Sequence, residues 1–142
     1  MRFWDTSALV PLVIAERDSA RVARWLRDDP SVVVWALGRV ELLSALARRR
    51  RAEPAAGRRL LTARRNVIHA WAQWTEVIAI EQTRRHAERL VEMYPLRAAD
   101  ALQIAAALVA SEDAPASLEF VTLDQRQADA ALSEGFPVLG PA

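Results

Sequence analysis

Cysteine and lysine are both absent from this 142-residue chain, and tyrosine occurs once. Without cysteine there is no disulfide framework, no thiolate metal site and no cysteine nucleophile, and a reducing compartment is compatible with the chain. The lack of lysine, together with heavy alanine use, reads as a GC-rich coding bias and carries no functional weight. No segment approaches about 18 uninterrupted apolar residues, the length a membrane span needs. The opening Met1-Arg2-Phe3-Trp4-Asp5 has too short an apolar run before a charge for a signal peptide. The expectation is a soluble cytoplasmic protein without membrane contact.

What is present is a chain 52% apolar with a net charge of +1, which fits one compact domain over residues 1–142. The near-balanced total neither predicts nor excludes a polyanionic partner. Its distribution is less even. Arg48, Arg49, Arg50, Arg51, Arg58, Arg59, Arg64 and Arg65 crowd a stretch whose only acid is Glu53, a local positive field.

Along the chain, strand-like and helix-like patterns alternate. Arg2 to Trp4 reads as a short strand, followed by Asp5-Thr6-Ser7 as capping residues of a helix with Pro11 near its first turn. Asp18-Ser19 caps a second helix that Pro30 ends. Ser31 to Trp35 is a continuous apolar run of the kind expected for a strand buried on both faces. Gly38 precedes a helix expected to bury Val40, Leu43, Leu46 and Ala47, and Pro54 opens a long helix through Trp74. Val77 to Ile80 reads as a third strand, Glu81 to Met93 and Arg97 to Ala110 as helices. Then come a strand at Glu119 to Leu123, a helix from Gln125 to Ser133, and a final short strand after Gly135-Phe136-Pro137. Such alternation predicts an α/β sandwich on a mainly parallel sheet, with ligands bound beyond the carboxyl ends of the strands.

That topology brings acids to one edge. Asp5 ends the first strand, Asp124 lies just past the Phe120-Val121-Thr122-Leu123 strand, Glu41 opens the helix after the second strand, and Asp100 sits early in an alanine-rich helix. Taken singly, Asp5 and Asp124 also read as helix N-caps and Glu41 as a solvated helix residue. Taken together, carboxylates without basic neighbours repel one another and raise their own pKa values unless a cation lies between them. All-oxygen ligands suit Mg²⁺ or Mn²⁺. Such a centre activates water against a phosphodiester. Other chemistries lack parts. There is no G-x-S-x-G elbow, no lysine to join His69 or His86 in metal-free acid/base work, and Ser7 stands where an aspartyl-phosphate enzyme would carry a second aspartate.

The segments Phe3-Trp4-Asp5-Thr6-Ser7-Ala8-Leu9, Val40-Glu41-Leu42-Leu43-Ser44-Ala45-Leu46, Leu96-Arg97-Ala98-Ala99-Asp100-Ala101-Leu102-Gln103-Ile104-Ala105-Ala106-Ala107 and Phe120-Val121-Thr122-Leu123-Asp124 resemble the four acidic motifs of PIN domains, most closely those of VapC toxins. The resemblance covers nearly the whole chain. It implies a PIN-like three-layer α/β/α sandwich with four to five strands, and Mg²⁺- or Mn²⁺-dependent endoribonuclease activity on structured RNA such as tRNA or rRNA. It also implies a homodimer and a cognate antitoxin whose C-terminal segment covers the acidic site. Position by position, Asp5, Glu41 and Asp100 match the best-kept acids and Asp124 the more variable fourth, with Asp129 a rival for that place. Thr6 and Thr122 match polar supports beside the metal. Leu37-Gly38 departs from the pattern, which often has Ser or Thr shortly before the second acid, and is expected to weaken that support or the helix start.

Arg48, Arg49, Arg50, Arg51, Arg58 and Arg59 are candidate RNA contacts, since guanidinium groups bind phosphate bidentately; the alternative is a solubilising helix face. Arg97, close to Asp100, is a candidate contact for a phosphate or an antitoxin residue. The rival reading from another class is a non-catalytic RNA- or protein-binding module that works through the same acidic pocket.

Overall fold

Side-chain alternation along short strands decides which face of the sheet each residue serves. Strands β1 (Arg2–Trp4), β2 (Val32–Trp35), β3 (Thr75–Val77), β4 (Glu119–Val121) and β5 (Val138–Leu139) form one sheet in the order β3-β2-β1-β4-β5. Every pairing is parallel, with Phe3 opposite Val33 and Phe120, and Trp35 opposite Val77. This is the arrangement in a computed structural model that describes residues 1–141. Phe3, Val33, Trp35 and Phe120 point to one core, Trp4, Val32, Val34 and Val121 to the other. The period of two thus splits each strand between two buried faces.

The helices cover both faces. Helices α1 (Thr6–Val13), α2 (Ser19–Asp28), α3 (Gly38–Ala52) and α4 (Gly57–Trp71) pack with Trp4 and Val34. Helices α5 (Ile80–Met93), α6 (Ala98–Ala110) and α7 (Gln125–Ser133) pack with Phe3 and Phe120. The result is the expected three-layer α/β/α sandwich with a parallel five-stranded sheet. Ala101, Ala105, Ala106 and Ala107 of α6 are fully buried, and their small side chains let α6 lie close to α5 and to the sheet. Phe3 stacks on Phe120 at 5.5 Å between ring centroids. From the central strand β1 the chain moves to β2 on one side, and β4 lies on the other. The carboxyl ends of β1 and β4 therefore flank the point where strand order reverses, where crevices form in open α/β sheets.

Four local expectations give way. The third strand ends at Val77 rather than Ile80, because β3 lies at the sheet's edge and the chain turns into α5 at Ile80; Ile78 and Ile80 are exposed. Helix α4 stops at Trp71. Pro11 lies inside α1, in its second turn, so that helix forgoes one backbone hydrogen bond. On α3 the inward face is Gly38, Leu42 and Leu46, whereas Val40 is 64% exposed. Gly38 sets this roll: a Cβ there would meet Gln103 Nε2 at 3.1 Å and Thr6 Oγ1 at 3.5 Å. A side chain there would make Gln103 give way by a few tenths of an ångström. Val40 then points away, and Glu41 turns inward.

Candidate active site

Each acid owes its place to an element boundary. Asp5 directly follows β1 and is the N-cap of α1, its side chain accepting a hydrogen bond from Ser7 N at 3.1 Å. The same oxygen accepts from the hydroxyls of Ser7 and, at 3.0 Å, Thr122. Asp5 is nonetheless only 1% exposed. Burial pushes its carboxyl above the usual carboxylate range, while the Ser7, Gln127 and Thr122 side chains and the Ser7 amide pull the other way. Glu41 lies in the first turn of α3 and Asp100 in the first turn of α6. Asp124 follows β4 and caps α7 by accepting from Gln127 N at 2.9 Å. Cap and acidic edge are the same residues, so the two readings of Asp5 and Asp124 are compatible.

Glu41, Asp100 and Asp124 line a cleft of about 660 Å³ together with Ser44, Arg48, Arg97, Ala99, Gln125 and Arg126. Asp5 lies behind them within electrostatic reach. Glu41 is pushed up to about 7, by burial first and then by the charges of Asp5 and Asp100, against a hydrogen bond from Gln103. Asp100 is raised by burial and by the charges of Asp124 and Asp5, while the Arg97 backbone hydrogen bond and charge lower it. Burial and the neighbouring acids dominate at both Glu41 and Asp100. Asp129 lies elsewhere, exposed on α7 and accepting from Gln125 Nε2 at 2.8 Å.

The polar supports are only partly those read from sequence. Thr122 meets Asp5 and also accepts from Asp124 N at 3.1 Å, so one hydroxyl joins two acids. Thr6 meets Gln103 instead, accepting from its Nε2 at 2.9 Å. Ser7 was missed. Its hydroxyl accepts from Leu123 N at 2.8 Å while holding Asp5, tying the β1 end to the β4 end. Gln103 and Gln127 were missed too. Gln103 Nε2 donates to Glu41 Oε1 at 3.1 Å, and Gln127 Nε2 to Asp100 Oδ1 at 3.3 Å. The sequence signal for Gln103 was a lone amide three residues after Asp100 in an otherwise apolar helix. The gap left by Leu37-Gly38 is filled by that amide, although Leu37 itself offers α3 no side-chain cap.

Of the arginine stretch, only Arg48 reaches this cleft, where Arg97 and Arg126 join it. Arg49 is paired with Glu16 at 2.6 Å and Glu53 at 3.5 Å. Arg58 and Arg59 line a separate groove with Val13, Thr62 and Asn66. Arg50 and Arg51 lie on the last turn of α3, outside the cleft lining.

The model of the PIN domain matches residues 2–132. The chain belongs to the PIN domain family. The crystal structure of PAE2754 from Pyrobaculum aerophilum is similar, with a TM-score of 0.58 over 98% of this chain and 89% of that chain at 19% identity, a likeness of fold. The sequence matches none of the curated proteins. PIN domains are in general metal-dependent nucleases, and this PIN domain is accordingly a nuclease-type module.

The donor set fits a hard divalent cation: carboxylate oxygens, no sulfur, and two of the acids held protonation-prone by repulsion a cation would reverse. Gln103 Oε1 and Gln127 Oε1, both buried beside these acids, have no hydrogen-bond partner, as expected where further polar groups belong. Among the described residues no three acids stand in a closed ligating geometry. The carboxylates accept from hydroxyls, amides and backbone N–H groups, Asp5 from Ser7 and Thr122, Glu41 from Gln103, Asp100 from Gln127 and Asp124 from Gln127 N. No helix among the described residues is long and apolar enough to cross a membrane.

Proposed function

We propose that this chain is a Mg²⁺- or Mn²⁺-dependent endoribonuclease, the VapC-type toxin of a type II toxin–antitoxin pair, acting on structured RNA such as tRNA or rRNA. The observation that carries the reading is the buried Asp5 carboxylate coupled to Glu41 and Asp100 at the reversal point of the sheet. Burying uncompensated carboxylates is costly. Their presence together is accounted for by a cation that Asp5, Glu41 and Asp100 would hold, with Asp124 at the outer edge. When bound, that cation would polarise the phosphodiester and make water a competent nucleophile at neutral pH.

The chain's own groups do the rest. Ser7 and Thr122 orient Asp5 by binding one of its oxygens. Arg48, Arg97 and Arg126 receive phosphates on either side of the scissile bond with bidentate donors, holding the strand so that attack is in line. Arg50, Arg51, Arg58 and Arg59 extend the positive field over the neighbouring surface and draw RNA in. We further take residues 1–142 to act as one PIN domain in the cytoplasm. Exposed Leu37 and Val40, after β2, and Ile78 and Ile80, after the adjacent β3, support a homodimer through that face. The acidic cleft, ringed by arginines, suits an antitoxin segment that brings both charges.

The test is cleavage of structured RNA by the purified chain, freed of any partner protein, with Mg²⁺ or Mn²⁺ and with chelator. Cleavage with metal, none with chelator and none in Asp100→Asn is expected. RNA binding without cleavage under every metal condition would replace the enzyme by a binding module.

A further inference from the structure

Two glutamines frame the acidic site from opposite flanks. Gln103 comes from α6 and Gln127 from α7; they are 1% and 3% exposed. Each gives its Nε2 to a different acid, Glu41 at 3.1 Å and Asp100 at 3.3 Å. In the ionised form that a cation selects, Glu41 and Asp100 only accept, so the amide nitrogens face them, which sets the orientation of each amide. The carbonyl oxygens, bonded to the same carbons, then lie beside the same acids, and both are buried without a partner. An orphaned buried acceptor costs about 1–3 kcal/mol. Two at one site call for an explanation.

For Gln127 the local alternative is already closed off. Asp124-Gln125-Arg126-Gln127 has the spacing of a capping box, in which the Gln127 carbonyl would accept from Asp124 N. That N–H instead donates to Thr122 Oγ1 at 3.1 Å, and Gln127 reaches across to α6. For Gln103 the room is made by Gly38, where a Cβ would lie only 3.1 Å from Nε2.

We propose that Gln103 and Gln127 are positioning residues of the cation site, whose amides aim Glu41 and Asp100 inward and whose carbonyls accept hydrogen bonds from water entering with the cation. The inference rests on the metal-dependent reading above. Neither glutamine touches the cation or the substrate. Their effect passes through the acids they hold and through the water they order, as groups behind metal ligands do.

The experiment measures Mn²⁺ binding by calorimetry, and thermal melts with and without Mn²⁺, on the full chain and on Gln103→Met and Gln127→Met, which keep side-chain length and lose both polar atoms. We expect Mn²⁺ to bind about 10–100-fold more weakly in each variant, and the Mn²⁺-induced rise in Tm to shrink. The metal-free Tm should stay within a few degrees of the parent, since a lost hydrogen bond is offset by removal of an orphaned carbonyl. Parental Mn²⁺ affinity in both variants would overturn the inference, as would a lowered metal-free Tm with the Mn²⁺ response intact, the mark of a merely structural role. If neither variant folds, Gly38→Ala decides. It keeps every polar group but crowds Gln103 Nε2, and it must weaken Mn²⁺ binding for the inference to stand. No Mn²⁺ response in the parent chain itself would instead remove the metal-dependent reading, and this inference with it.

Discussion

The β1–α1 and β4–α7 junctions are built alike and used differently. In both, a parallel strand is followed by an aspartate that caps the next helix, Asp5 directly after β1 through Ser7 N and Asp124 a short turn after β4 through Gln127 N. Strand β1 is central, with β2 and β4 beside it and helices on both faces, so Asp5 is sealed from water. Strand β4 has only the two-residue β5 on its outer side, and Asp124 stays at the mouth of the cleft. The same local motif yields a buried, strained charge in one place and a partly solvated cap in the other. Position in the sheet, rather than the capping sequence, decides which of the two acids is buried.

The largest expected contrast is in catalysis. Asp5→Asn should lower metal-dependent RNA cleavage by roughly a thousandfold or more, the several kcal/mol a metal centre supplies. Asp124→Asn should lose on the order of tenfold, as expected for a group at the site's outer edge. Equal losses in single-turnover assays would break the comparison.

The next contrast is with pH. Glu41 is raised to about 7 from an ordinary value of 4.5, and Asp5 and Asp100 are raised as well. A raised acid holds its proton more tightly in the folded chain, so the associated stability is complete below the unfolded pKa and disappears as pH rises through the folded one. In chelator, melts should therefore show a falling Tm between about pH 4.5 and pH 7 for Glu41. Glu41→Gln should flatten that fall. Mn²⁺ affinity should run the opposite way, strengthening with pH because binding expels protons. A metal-free Tm that rises across the window would contradict the proposed crowding of charge.

Without metal, Asp5→Asn should raise Tm by a few degrees, because asparagine caps a helix as well as aspartate and removes a buried charge. Asp124→Asn should leave Tm unchanged, and Asp124→Ala should cost about 1 kcal/mol through the lost cap. Chelator melts of the three variants check this ordering. The smallest effect concerns Arg126, which the β4–α7 junction carries to the cleft. Arg126→Ala should weaken RNA binding in chelator several-fold and reduce the slope of log K against log salt by about 0.7, one phosphate contact to a single strand. An unchanged slope would leave the junction without a role toward substrate.

Much of the architecture was legible because buried parallel strands write themselves as short apolar runs, and α6 as a long one. Errors gathered where tertiary packing overrode pattern. The apolar run Val77 to Ile80 outlasts an edge strand that pairs for only three residues. Val40 looked inward by periodicity, but the close approach at Gly38 rolled α3 the other way. The acids were readable because charge at a strand end is conspicuous. Gln103 and Gln127 were not, because each has its partner on another element, and the lone amide of Gln103 in an apolar helix does not say which acid it meets. The arginine stretch looked like one surface, yet the folded chain sends Arg48 to the cleft, Arg49 to Glu16, and Arg58 and Arg59 to a different groove.

The order of apolar strands and amphipathic helices, with Asp5 and Asp124 as strand-end caps, is a property of the chain alone. Local backbone preference and side-chain period suffice for it. What only the tertiary structure decided is which of two equivalent caps is buried, which arginines meet the acids, and that two distant glutamines close around Glu41 and Asp100. Those outcomes depend on desolvation and on contacts between residues far apart in sequence, and neither is encoded in any local stretch.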